Sequence, residues 1–216
     1  MEPVRSPEDL LRIGFDRSRV VIVNECHNGD QHCARTRHVG RRMLPVAHVL
    51  GVRHLAMEAL HPWFAQTANR SRELPVTNAG YLGHEDLRLL MADALALGWE
   101  LVAYECDFSK WKGLMPRRVA FANWRDLEEA RNLTEFLARS SPGLRLLVWC
   151  GNRHQRKTPQ RYSGLFGGRW IRMGQRLKEL SGIEPFVIDQ SVTVEYRRGH
   201  SPRRGRSVAI KLSWLI

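Results

Sequence analysis

The chain has 216 residues, 43% of them hydrophobic, with 34 Lys and Arg against 22 Asp and Glu for a formal net charge of +12. That length and apolar content suit one sizeable core, and no run of sequence approaches the roughly 20 apolar residues needed to cross a bilayer. The excess of arginine favours an anionic partner or substrate, with compositional drift as the alternative, and a small-molecule substrate is the expected partner.

The N-terminus M-E-P-V-R-S-P-E-D lacks the basic and then apolar segments of an export signal, which makes a cytoplasmic protein the expectation. Cys26, Cys33, Cys106 and Cys150 form no C-x-x-C pair and read as reduced, mostly buried thiols. The group C-H-x-x-x-x-H-C at 26–33 raises zinc as an alternative, although adjacent residues of an extended segment point apart.

In chain order, V-V-I-V-N at 20–24 reads as a first strand that runs into Glu25, Cys26 and His27. Val39, Met43, Val46, Val49 and Leu50 then recur at helical spacing across 34–51, with Pro45 near a helix start or at a kink. A second strand at 52–57 leads into Glu58. Residues 59–84, with two prolines and weak periodicity, read as a partly irregular insertion over the strand ends, where Trp63, Phe64 and Tyr81 line a pocket or anchor the loop.

An amphipathic helix follows, with Leu87, Leu90, Met91, Ala94 and Leu95 as its buried stripe and Gly98 as its stop. A third strand at 99–105 closes on Glu105, Cys106 and Asp107, and 106–123 reads as a second irregular insertion. Residues 126–139 form a helix with acidic residues in its first turn and Arg139 near its end. Arg131 sits at the margin of its apolar face, from which a long cation reaches along the sheet edge.

A fourth strand at 144–150 ends in C-G-N-R-H, with Gly151 permitting a sharp turn before His154. After a helix at 170–182, the stretches 185–194 and 207–214 read as an antiparallel edge hairpin joined by a basic turn at 196–206. The alternation predicts a single α/β domain over 1–216. Its expected form is a three-layer sandwich with a mostly parallel central sheet, helices on both faces and an antiparallel C-terminal edge hairpin.

Three buried strands therefore deliver polar groups at their C-terminal ends, the edge where open parallel sheets bind ligands. Period-two geometry puts Glu25 and His27 on one side of the first strand and Cys26 on the other. With Glu58, His154 and Arg131 they form a candidate catalytic cleft. An imidazole held by a carboxylate takes a proton from water near neutral pH, and an arginine neutralises an oxyanion. Ordinary capping, ion-pairing and hydrogen-bonding roles are the alternatives for each of the five.

N-E-C-H at 24–27, A-M-E at 56–58, R-N-L-T at 131–134 and G-N-R-H at 151–154, followed by M-G-Q-R-L-K-E-L-S-G, resemble in order the superfamily of erythromycin esterase-like enzymes, ChaN-like haem-binding proteins and TraB/Tiki-type metalloproteases. The pattern is most similar to the esterase-like branch, though shorter. The resemblance implies a hydrolase in which His27 activates water, Glu25 or Glu58 orients it, and His154 and Arg131 stabilise charge. Asn24 departs from the glycine common in that motif, and the chain is short for a macrolide pocket, so a smaller ester, lactone or amide is the implied substrate.

Two glutamates and two histidines also suit a divalent transition metal, the option that the metalloprotease branch implies. Haem or another ligand bound without turnover is a further alternative. Nucleic-acid binding through the arginine-rich 197–206 segment is the last, without a glycine-rich phosphate loop or zinc-finger spacing beside it.

Overall fold

The computed structural model describes residues 5–25, 30–77, 80–113, 118–161 and 168–190. Five strands form one sheet: β1 (Val20–Asn24), β2 (His54–Met57), β3 (Glu100–Ala103), β4 (Leu146–Cys150) and β7 (Phe186–Ile188). Their order is β3-β2-β4-β1-β7 and every pairing is parallel. β1 and β4 are buried along their whole length, as central strands covered on both faces must be, which is why they read as unbroken apolar runs.

Alternate residues of each strand enter opposite cores. Val21, Val23, Leu55, Met57, Leu147 and Trp149 pack against α1 (Pro7–Arg17), α2 (Asp30–Val49), α3 (Pro62–Ser71) and α4 (Glu85–Ala96). Val20, Ile22, Ala56, Leu146 and Val148 face Ala130, Leu133 and Leu137 of α5 (Arg118–Arg139) and Met173 and Leu177 of α6 (Met173–Ser181). The result is a three-layer α/β sandwich with a parallel central sheet and helices on both faces. A small antiparallel hairpin of β5 (Gln160–Arg161) and β6 (Arg169–Trp170) accompanies it in the C-terminal third.

The connections matter for the site. The chain leaves β1 through α2 on one face, whereas it leaves β3 and β4 through α5 and α6 on the other. β4 is inserted between β1 and β2, so adjacent connections diverge around its C-terminal end, the position at which open parallel sheets bind ligands.

Several local expectations change. Within the partly irregular residues 59–84 lies a helix, because Pro62 occupies the first turn of α3, where its missing N–H costs nothing, and Phe64, Ala65 and Ala68 supply a short buried stripe. The insertion expected at 106–123 contains a 3-10 turn at Phe108–Lys110 and the start of α5 at Arg118. Pro45 lies well inside α2, which begins at Asp30. Another helix, α1, is announced by S-P-E-D: Ser6 accepts a hydrogen bond from the Asp9 amide at 3.0 Å, Pro7 opens the first turn and two acids favour the helix N-terminus. The strand at 207–214 and the basic turn at 196–206 lie outside the described residues. No described helix is long and apolar enough to cross a membrane.

A β-carbon on Gly40 would lie 2.5 Å from ring carbons of Trp149, within the packed layer between α2 and the sheet. Gly40→Ala is expected to lower stability by about 1–3 kcal/mol through overpacking, read as a fall in the urea midpoint at unchanged m-value. An unchanged midpoint would contradict this packing.

Candidate functional site

The C-terminal ends of β2, β3 and β4 converge with one face of α5. Glu58, directly after β2, donates its backbone N–H to the Trp149 carbonyl at 3.1 Å, and its Oε2 accepts a short hydrogen bond from the Gly151 amide. The next residue, Ala59, has φ 66°, a left-handed turn that brings its amide within 3.0 Å of Glu105 Oε2. Glu105 follows β3. His154 lies in the turn after β4, behind Arg153 at φ 79°.

α5 contributes Arg125, Asp126 and Glu129, which share one helical face. The Arg125 guanidinium lies 2.6 Å from Glu58 Oε1, 2.6 Å from Glu105 Oε2 and 2.9 Å from Glu129 Oε1. Asp126 Oδ1 lies 2.7 Å from His154 Nδ1 and also accepts the Met173 amide at 2.9 Å. With Nδ1 engaged, His154 turns Nε2 towards Glu58 Oε1 at 3.7 Å. Glu129 Oε2 is 3.4 Å from Nδ1, yet neither oxygen of this fully buried carboxyl accepts a well-formed hydrogen bond.

These surroundings divide the acids. Burial opposes ionisation of Glu58, but His154, Arg125 and the Gly151 amide prevail and hold it below the usual carboxylate range. Arg125 does the same for Glu105. Burial pushes Glu129 up to about 8, only partly opposed by His154. Burial disfavours charge on His154, but Glu58 and the hydrogen bond to Asp126 oppose it, joined by Glu129 once that carboxyl ionises, and its pKa lies well above the ordinary value. With Glu129 protonated, three carboxylates (Glu58, Glu105, Asp126) face three cations (Arg125, His154, Arg172), with Arg172 Nη1 3.3 Å from Asp126. The cluster is then neutral.

Glu58, Glu129 and His154 each offer a ligand atom within 4.8 Å of the others, a donor set that fits a divalent cation of the zinc or manganese kind. Such an ion requires deprotonated Glu129 and a free Nε2 on His154, and competes with Arg125 for Glu58 and Glu129.

The structure thus brings together Glu58 and His154 of the five expected residues. Glu25 is buried but engaged elsewhere: Arg37 grips it with contacts of 2.8 and 3.0 Å, and the Trp149 indole donates to it at 3.0 Å. Arg37 also reaches Asp86 at 2.9 Å, tying the end of β1 to α2 and α4. Tyr81 lies under Arg37, 5.2 Å from its ring centre. Burial, and then Glu25 and Glu58, raise the pKa of its hydroxyl, which places the tyrosine near both carboxylates.

His27 lies outside the described residues. Arg131 does not enter the cleft: two residues beyond Glu129, it is about 200° around the helix, half exposed and paired with Glu128 at 2.5 Å. Arg125 is the arginine that does enter it, and Asp126 and Glu129 were equally missed. Their signal was the spacing R-D-x-x-E in W-R-D-L-E-E, which also satisfies an ordinary acidic first turn. Glu105, expected to border the cleft, is part of the cluster. Burial and nearby carboxylates raise the thiol pKa values of Cys106 and Cys150, so neither is an activated nucleophile.

No family model matches the chain, and no curated protein is similar to it. Solved structures are. A structure described as bacterial protein toxins superposes with TM-score 0.62 at 14% identity, over 87% of this chain and 37% of the other. RRSP, a MARTX toxin effector domain from Vibrio vulnificus, gives 0.54 at 17% identity over 86% and 35%. The type III effector HopBA1 gives 0.50 at 15% identity over 72% and 79%. The chain thus spans about a third of the length of the first two. These likenesses concern the fold, and they correct the resemblance drawn from the short motifs: the neighbours are bacterial toxin effector domains, not erythromycin esterase-like, ChaN-like or TraB/Tiki-type proteins.

Glu129 gives the site a pH signature. Its folded pKa of about 8 exceeds its unfolded value near 4.5, so between these the folded state holds a proton that the unfolded state releases, and stability falls as pH rises. Glu129→Gln removes that dependence. The variant is expected to gain stability relative to the parent between pH 5 and pH 8, on the order of a few kcal/mol at most, measured by urea unfolding at both pH values. Parallel pH profiles for the two proteins would count against a protonated Glu129.

Proposed function

We propose that this chain is a hydrolase in which Glu58 and His154, side by side at the sheet edge, act on the hydrolysed bond as base and acid. The observation that carries this reading is their 3.7 Å approach at the sheet edge, with carboxylate pKa depressed and imidazole pKa raised. Paired titratable groups driven apart by their surroundings are the usual basis for assigning a base and an acid. Glu58 orients water and accepts its proton as the oxygen attacks a carbonyl carbon. The His154 imidazolium, held by Asp126, stabilises the oxyanion and gives its Nε2 proton to the leaving group as that bond breaks. Transfer of the proton from Glu58 to His154 restores the starting state. Arg125 keeps Glu58 ionised and fixed, and the bond hydrolysed is a small ester, lactone or amide.

The Glu58, Glu129 and His154 donor set favours one second reading. There the three side chains would hold a divalent ion, which would supply Lewis acidity to lower the pKa of a bound water. A peptide bond is itself an amide, so a protein belongs among the substrates considered.

The test is a panel of esters, lactones, amides and a protein substrate, offered to metal-stripped and metal-supplemented protein. Glu58→Gln and His154→Asn are expected to lower kcat/KM by about 10²–10⁴, and His27→Ala run beside them reports on the remaining candidate. Activity should hold across neutral pH, falling in acid as Glu58 is protonated and in alkali as His154 loses its proton. Dependence on added metal selects the second reading. Folded protein inactive on every substrate, or variants as active as the parent, would overturn the proposal.

A further inference from the structure

The turn that carries His154 also carries Arg153 and Arg156, and both are locked onto the start of α6. The Gly174 amide donates to the His154 carbonyl at 2.8 Å and the Gln175 amide to the Arg156 carbonyl at 3.0 Å. A β-carbon on Gly174 would lie 2.3 Å from the Gln155 carbonyl oxygen, so the contact requires glycine there. Arg172, the residue that caps α6, therefore sits beside both arginines. It is 6% exposed, stacks on Trp170 at 4.0 Å and shows Asp126 only Nη1, while its Nε is buried without a partner.

The acids around this turn are already engaged. Glu184 pairs with Lys157 and Lys178, Glu179 with Arg176, and Asp126 with His154 and Arg172. Arg153, exposed, and Arg156, half-buried, have no acidic partner among the described residues. The backbone pairing thus brings three arginines together at one turn and helix start beside His154, and of the three only Arg172 has a carboxylate partner. Burial lowers the pKa of Arg172, Asp126 opposes this, and the charges of Arg153 and Arg156 lower it further, as expected of cations near enough to repel.

We infer that Arg153, Arg156 and Arg172 form an anion subsite that holds a phosphate group of the substrate beside His154. A phosphate monoester, dianionic at neutral pH, offsets three clustered cations better than a single carboxylate does, and guanidinium forks match its oxygens. The subsite gives the arginine-rich composition a local use. It rests on the proposed function only in assigning the phosphate to a substrate; the binding itself does not require turnover.

The experiment is calorimetric titration of the whole protein with inorganic phosphate at low ionic strength, with chloride as control. Saturable binding is expected, weakened at least tenfold by Arg153→Gln with Arg156→Gln, unchanged by Lys110→Gln with Lys112→Gln, which removes equal charge elsewhere, and retained in His154→Asn. A short single-stranded oligonucleotide that displaces phosphate, and is equally sensitive to the arginine pair, identifies a phosphodiester as the source of the group. No binding to the parent, equal affinity in the arginine variant or equal loss in the lysine variant would overturn the inference. A protein that binds phosphate in this way but hydrolyses nothing retains the subsite and loses the hydrolase.

Discussion

Arg125 is the partly buried cation around which this sheet edge is organised. Its guanidinium meets Glu58 after β2, Glu105 after β3 and Glu129 on its own helix, so one side chain fixes two strand ends against α5. Without it, two ionised carboxylates would face each other in a poorly solvated space, a cost of several kcal/mol for each uncompensated charge. Glu129 sits in the same space but has no hydrogen bond to hold it ionised, so it keeps its proton. That protonation leaves three negative and three positive charges.

A second buried ion pair lies at the end of β1. Glu25, Arg37, Trp149 and Asp86 link that strand to α2 and α4, and Tyr81 stands near both Glu25 and Glu58. The arrangement separates tasks: Glu25 braces the end of the central strand, while Glu58 and His154 meet at the sheet edge. Arg172 meets the other oxygen of Asp126, so an anion held at Arg172 would be felt at His154 through a single shared carboxylate.

The sheet was legible because its central strands are short apolar runs buried on both faces, and because each is followed within a few residues by an acid or a histidine. Glu58 and His154 were readable for the same reason. The helical half of the site was harder to see. Arg125, Asp126 and Glu129 occupy the kind of sequence that commonly makes a solvated helix surface, and only the packing of α5 across the strand ends turns that face inward. Arg131 was misplaced by the same ambiguity, since the margin of an apolar face does not say which side it borders. α3 was hidden because a proline that begins a helix resembles one that breaks a loop. Short motifs in order suggested a family likeness that superposition does not support, since the solved structures alike in fold are bacterial toxin effector domains.

The protonation state of His154 tests the account most directly. A titration of its imidazole nitrogens by NMR in the intact protein should show a doubly protonated ring that persists through neutral pH, with Nδ1–H held towards Asp126, and a lower pKa in Glu58→Gln. A ring that loses its proton near the ordinary histidine value, and is indifferent to Glu58, would contradict the charge balance on which this reading of the site depends.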